Sequence, residues 1–472
     1  MSPPCANGAA SDRIWSTGHM TEHDERWPEE RFRQLRQQAD PDIDKVVADY
    51  LEAQPEGSGP LELLKAVVAE LGQAKREARA PSGEPPASEI FDAIDFAKDL
   101  PGWGDDAELL ARGQAVFADY GLYQSAALFC KCLPMAYVEV SSAKVLAGVS
   151  NLATHSLTRR VAETGQMLID VMGLRATGSL RPGGPGHTTA IGLRILHSFV
   201  RAVVNERYAD RWDTANYGPP VNQELLLATI FDFSVVTWEA LERMGVVLTE
   251  EERAAHLYTW SVFGHLMGVD ACRERPLTLA DVEPVSERLG RLYASSEEGR
   301  RLMATLLAEM EEFMPLGWRK LPRSLVHWVF RDAAHRADQV PELLQVPKPA
   351  WWFTALFAAA RSAHRHSWLA GPVDGVARRL TRKAGRHIVI ALIDRHSAGP
   401  AAFRIPEELA RAWRIGQSRP AVATRAVRRD IRGRLRAPVR ALNERAQEKR
   451  AQEKRALKEE TLKEGTLQRP RT

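Results

Sequence analysis

From Phe91 onward the apolar residues return roughly every three to four positions, in stretches several turns long that end at short Pro or Gly breaks. No run alternates apolar with polar residues between hairpin turns, so helix packing is the way this chain can bury its apolar faces, and the expected fold is an all-α, globin-like bundle of many helices. With 472 residues and 44% hydrophobic content, the chain can bury a sizeable core in one large or two ordinary domains. One break matters most. The run Thr177–His187 contains four Gly and two Pro, too many for a helix, and it lets the flanking helices fold back as neighbours, with Thr188 or Thr189 capping the second.

Those two helices carry polar side chains on faces that would otherwise be apolar. In the first, Arg160, Glu163 and Thr164 fall at i, i+3 and i+4, which gathers a cation, a carboxylate and a hydroxyl into one patch. In the second, His197 follows Arg194 by three residues and precedes Arg201 by four, so all three project along one side while Leu193, Leu196, Val200 and Val203 supply apolar packing. Spacing alone leaves each with two readings. His197 is a hydrogen-bonded core residue or a metal ligand. Arg194 and Arg201 pair with neighbouring helices or with carboxylates of a bound group. Arg160 and Thr164 are a surface cation and a helix-interior Thr, or they line a pocket.

Six segments in order between Leu100 and Val269 carry a family resemblance: Leu100–Trp103, Leu133–Tyr137, the Arg160/Thr164 helix, Leu196–Arg201, Val221–Leu226 with Phe231–Ser234, and Trp260–Val269. By these the chain resembles the latex clearing protein and MpaB-type oxygenases, all-helical haem b proteins that cleave carbon–carbon double bonds of isoprenoid chains with dioxygen. The resemblance implies that His197 is the proximal haem ligand, leaving the opposite iron face to dioxygen. It implies that Arg160 and Thr164 shape the distal pocket; with a haem on His197, the flanking Arg194 and Arg201 are candidates to pair with its propionates, since a guanidinium suits bidentate carboxylate binding. Where rubber-cleaving members carry a Lys beside that Thr, this chain has Glu163. The change makes Glu163 a candidate base or a partner of Arg160, and it argues against rubber as substrate. A further carboxylate proposed as base in relatives has its nearest match in character in Glu139.

The rival histidines are His155, His187, His256 and His265. Of these, His256 and His265 share the helical stretch Glu250–Val269, whose Gly264 and Gly268 indicate a close helix contact. The Glu-x-x-His pairs of a non-haem di-iron bundle are absent from the sequence. Cys5, Cys130, Cys132 and Cys272 form no CxxC pair, which fits free thiols in a reducing compartment and a cytoplasmic protein. Residues 1–60 show no export signal, and the most apolar stretches, near Trp351–Phe357 and Ile388–Ile393, are shorter than a membrane span.

Net charge is +3, but residues 425–472 hold 16 Lys or Arg against 7 Asp or Glu, so the basicity belongs to the tail. That tail has no interleaved aromatics and no nucleic-acid motif around it, so nucleic acid is not an expected partner. The expected division is a polar amino-terminal region at 1–85, an all-helical oxygenase domain at 86–425 and a basic tail at 426–472. The Trp351-Trp352-Phe353 cluster reads as core aromatics or as an interfacial anchor giving peripheral membrane contact. An apolar, lipid-like substrate and dioxygen are the implied partners. The alternatives are a haem-binding sensor or carrier without turnover, and a helical interaction protein whose working part is the basic tail.

Overall fold

The computed structural model describes residues 26–52, 100–150, 156–174, 178–207, 209–312, 314 and 316–366. His155, the linker near residue 85, the Ile388–Ile393 stretch and the tail lie outside them. Among the described residues there is no strand, only one isolated bridge between Glu139 and Tyr293, and the architecture is all-α as the periodicity requires.

The chain begins with α1 (Glu29–Gln37) and α2 (Pro41–Glu52). Next come α3 (Ala107–Asp119) and α4 (Gly121–Ala127), then a π-helical turn at Leu128–Cys132 that runs into α5 (Leu133–Val138) and α6 (Val140–Ser150). The central pair is α7 (Ser156–Val171) and α8 (Pro185–Arg207), followed by the short α9 (Thr214–Tyr217). Then α10 (Gln223–Phe233), α11 (Val235–Arg243), α12 (Glu250–Leu266) and α13 (Asp270–Glu274) complete the middle of the bundle. The last are α14 (Val282–Gly290), α15 (Glu297–Glu312), α16 (Leu321–Phe330), α17 (Val340–Leu343) and α18 (Trp351–His366).

The core centres on α12, whose residues from Ala255 to Gly264 are buried all round. Such a helix can sit only where partners cover every face. It starts at a capping box in which Thr249 and Glu252 satisfy each other's backbone N–H. Against it lies α3, drawn in so closely that a Cβ at Gly113 would collide with the Ala255 carbonyl, the close helix approach that small residues permit. The helix α8 packs on α2, α7 and α12, and α10 packs on α1, α11 and α12. Residues 26–52, expected to lie in a separate polar region, are thus part of the bundle.

The Asn222-Gln223-Glu224 segment explains how the amino-terminal helices are held. Asn222 caps α10 by accepting from Leu225 N at 3.1 Å. Gln223 donates to the carbonyls of Ala39 (2.8 Å) and Gly268 (2.9 Å) and accepts from Asp270 N at 2.9 Å. The buried Glu224 carboxylate bridges Arg36 of α1 at 2.7 Å and Arg288 of α14 at 3.1 Å. Gln223 and Glu224 therefore fasten α1, the turn before α2, α13 and α14 to one helix end.

Candidate active site between α7 and α8

The α7–α8 connection is fixed by two buried side chains. Ser179 donates its hydroxyl to the Asp170 carbonyl and accepts from Gly186 N at 3.0 Å. Asp170 accepts from Gln166 at 2.9 Å and from the Thr189 hydroxyl at 3.0 Å. Thr189 is therefore occupied inside α8, not at its start. The helix begins at Pro185, whose missing N–H costs nothing in a first turn, so the expected caps at Thr188 and Thr189 give way to an earlier start. His187, expected ahead of the helix, lies on it.

The Asp170–Thr189 bond also sets the register of two antiparallel helices with equal rise per residue. His197 lies eight positions beyond Thr189, and eight positions before Asp170 is Ala162, between Arg160 and Glu163-Thr164. Counted outward from that bond, the Arg160–Thr164 stretch of one helix and His197 of the other lie about equally far along the chain. Glu163 and Thr164 are partly buried on α7, while the Arg160 side chain lies outside the described residues.

Among the candidates, His197 has the surroundings of a ligand. It is flanked by the buried Ile195, Leu196, Phe199 and Val200. Burial first, and the neighbouring Arg201 cation second, push its pKa down to about 4 against the opposing pull of Asp40, so the ring is neutral at pH 7. Its Nδ1 is buried with no hydrogen-bond partner among the described residues, although the ring as a whole is not completely covered. A neutral imidazole with an unused nitrogen meets the chemical requirement of a metal ligand. His256 differs. Its nitrogens lie 3.4 Å from the Gly113 and Phe233 carbonyls, and Nε2 accepts from Trp260 Nε1 at 3.1 Å, so it serves as a core link between α3, α10 and α12.

Of the two readings of Arg194 and Arg201, the pairing with a neighbouring helix is the one this structure shows. Arg194 is buried and forked on Asp40, with Nε to Oδ2 at 2.5 Å and Nη2 to Oδ1 at 2.8 Å. Arg201 donates to Asp44 from Nε at 2.9 Å and Nη2 at 2.6 Å, and Ser198 adds its hydroxyl at 2.6 Å. The interhelical salt bridge is the arrangement present, and these pairs stitch α8 to α2 instead of reaching for a cofactor's carboxylates. At Gly268 a left-handed backbone with φ +78° lets the chain pass against the Arg194–Asp40 pair, where a Cβ would strike both.

Glu139, named from the sequence as the nearest match to a base in relatives, belongs to a second buried polar group whose other members sequence reasoning did not join to it. Glu139, at the α5–α6 junction, accepts from Ser141 Oγ at 2.8 Å and Ser142 N at 2.5 Å, yet burial raises its carboxyl above the ordinary range. Asp232, on the last turn of α10, is raised well above the ordinary value by burial and then by the Glu139 charge. Tyr293, buried beside them, is pushed well up by burial and by Asp232 and Glu239. The π-helical turn beside this group buries Lys131 against Glu239 at 2.6 Å and places Cys132 Sγ 3.2 Å from the Thr237 hydroxyl. Such turns are frequent at functional sites, but no sequence period marks one.

The family model described as "ER-bound oxygenase mpaB/B'/Rubber oxygenase, catalytic domain" matches residues 120–366, which include both central helices. A rubber oxygenase from Streptomyces sp. (strain K30) is 25% identical over 242 residues, covering 49% of this chain and 55% of the relative, so the match spans little more than half of that protein. A solved structure, that of latex clearing protein LCP in the closed state, shares the fold with a TM-score of 0.54 over 81% of this chain and 88% of that one, at 17% identity. With the family model covering more than half of its length, the chain belongs to the MpaB and rubber oxygenase catalytic-domain family.

Proposed function

We propose that this protein is a haem b-dependent oxygenase acting with dioxygen on carbon–carbon double bonds of an isoprenoid or other long apolar substrate. The observation that carries the reading is His197, a neutral imidazole with an unpartnered buried nitrogen on the helix that packs against α7. When bound, haem supplies the dioxygen chemistry that no side chain performs. The protein contributes the rest. His197 holds the iron without first having to release a proton, because burial already keeps it neutral.

Arg160 and Thr164 act as donors toward oxygen atoms that gain negative charge, a role worth about 2.7–4 kcal/mol per donor, roughly a hundredfold to a thousandfold in rate. Two carboxylates compete for the role of base. Glu163 stands beside Thr164, whereas Glu139 has its pKa raised by burial, which brings it nearer the operating pH that a general base needs. Arg194 and Arg201 act indirectly, by fixing α8 on α2. The curated relative is named for rubber, but Glu163 in place of the Lys of rubber-cleaving enzymes favours a smaller isoprenoid or lipid-like alkene here.

Oxygen uptake with a panel of apolar alkenes tests the reading. Arg160→Ala and Thr164→Ala are expected to keep haem and lose about two to three orders of magnitude in turnover. Full activity in both would place the pocket elsewhere. Of Glu163→Gln and Glu139→Gln, the one that slows turnover identifies the base.

A further inference from the structure

His197 is bracketed on α8 by two buried guanidinium groups, and both are neutralised from outside the stretch 120–366 that carries the family match. Arg194 and Arg201 keep only 3% and 4% of their side chains in solvent. Their counter-charges, Asp40 and Asp44, come from the turn before α2 and from α2 itself. Asp44 holds two residues of α8 at once. It accepts from Ser198, the chain neighbour of His197, at 2.6 Å, and from Arg201, one turn beyond His197, at 2.9 Å from Nε and 2.6 Å from Nη2. The remaining arm of Arg201, Nη1, donates to the Val221 carbonyl at 3.2 Å, so all three of its nitrogens are occupied. Val221 presents that carbonyl from a left-handed backbone with φ +53°, which a β-branched residue rarely adopts and which persists only where the surroundings hold it.

Charges on this side of α8 reach the imidazole. Arg201 disfavours a proton on His197 and Asp40 favours one, so the ring feels both groups. Between buried groups such fields are screened far less than in water. An uncompensated cation beside the ring would also favour the reduced state of a metal held there, because reduction adds negative charge. A strut between helices needs the geometry of the Asp44–Arg201 pair, whereas a tuning device needs its charge. The two roles are separable.

We infer that Asp44 is a positioning residue for the site at His197: by neutralising Arg201 it keeps the reduction potential of the bound iron low, so that α2 tunes a centre carried by α8. The inference rests on His197 being the iron ligand. A lower potential makes reduced iron a better electron donor to dioxygen, which is the use of such tuning in an oxygenase. The test is a spectroelectrochemical titration of the full chain loaded with haem b, comparing wild type with Asp44→Asn, Asp44→Glu, Arg201→Gln and Asp44→Asn/Arg201→Gln. Asp42→Asn, from the exposed face of α2, serves as control. Asp44→Asn is expected to raise the potential, so that at the wild-type midpoint the ferrous-to-ferric ratio rises at least roughly threefold. Arg201→Gln should lower it by leaving the Asp44 charge unpaired, and the double variant should return towards wild type. Asp44→Glu and Asp42→Asn are expected to stay at the wild-type potential. Loosened packing would instead move both single variants the same way, and that result would overturn the inference. So would haem bound at an unmoved potential in Asp44→Asn, or equal displacement by Asp44→Asn and Asp44→Glu; either leaves the haem reading standing. Should Arg201→Gln fail to fold, the two Asp44 variants decide the question alone. A wild type that takes up no haem would end both the haem reading and this inference.

Discussion

His197 and His256 share an electrostatic condition with consequences beyond the site. Burial lowers both from an ordinary 6.5 to about 4, so the folded protein resists protons that the unfolded chain accepts below pH 6.5. Stability therefore falls as pH drops from about 6.5 to about 4, by something on the order of 3 kcal/mol for each histidine, and is unaffected by these groups above that window. Asp232 and Glu139 have the opposite sign. Their folded pKa values are raised, so each imposes a penalty that appears above its unfolded value near 4 and grows with rising pH. Asp232→Asn should accordingly stabilise the fold at pH 8 by about 1–3 kcal/mol, with the gain vanishing below about pH 4. Urea unfolding across pH measures it, and a gain that grows in acid would mean the carboxyl is ionised and paired. None of this was legible in the sequence, because Glu139 and Asp232 are 93 positions apart and only the packing of α10 near the α5–α6 junction brings them together.

At the level of elements, the site depends on two fasteners. One is the Ser179–Asp170–Thr189 turn, which ties the end of α7 to the start of α8. Ser179→Ala leaves the Gly186 N–H without its acceptor and should cost about 1–3 kcal/mol, read as a lower melting temperature. The other is the pair of α2–α8 bridges. Asp40→Asn leaves Arg194 buried without its counter-charge and should cost roughly 3–5 kcal/mol. Asp44→Asn should cost less, because Asp44 keeps 31% of its side chain in solvent. Equal losses would show that geometry, not burial, dominates these pairs. The helices α7 and α8 and the turn between them were legible because period and Gly/Pro content are local signals. The partners of Arg194 and Arg201 were not. Asp40 and Asp44 lie 154 and 157 positions away, and nothing local distinguishes their face of α2 from any solvated acidic face.

For the molecule as a whole, the all-α class and the family followed from periodicity and from six ordered segments, and both hold. The place of α1 and α2 did not follow, since a short polar helix reads the same whether it is free or docked through ion pairs. The structure makes them part of the helical bundle, so a chain lacking residues 1–52 should melt well below the full chain and lose the support of α8. A truncated chain with unchanged melting would mean the bridges add no net stability. The central claim concerns His197, and the most direct measurement is the pyridine haemochrome spectrum of the purified protein beside His197→Ala. One haem b per chain is expected in the wild type and near none in the variant, with the circular dichroism of the two superimposable. Equal haem in both, or none in a wild type reconstituted with haem, would contradict the assignment of His197 as the iron ligand.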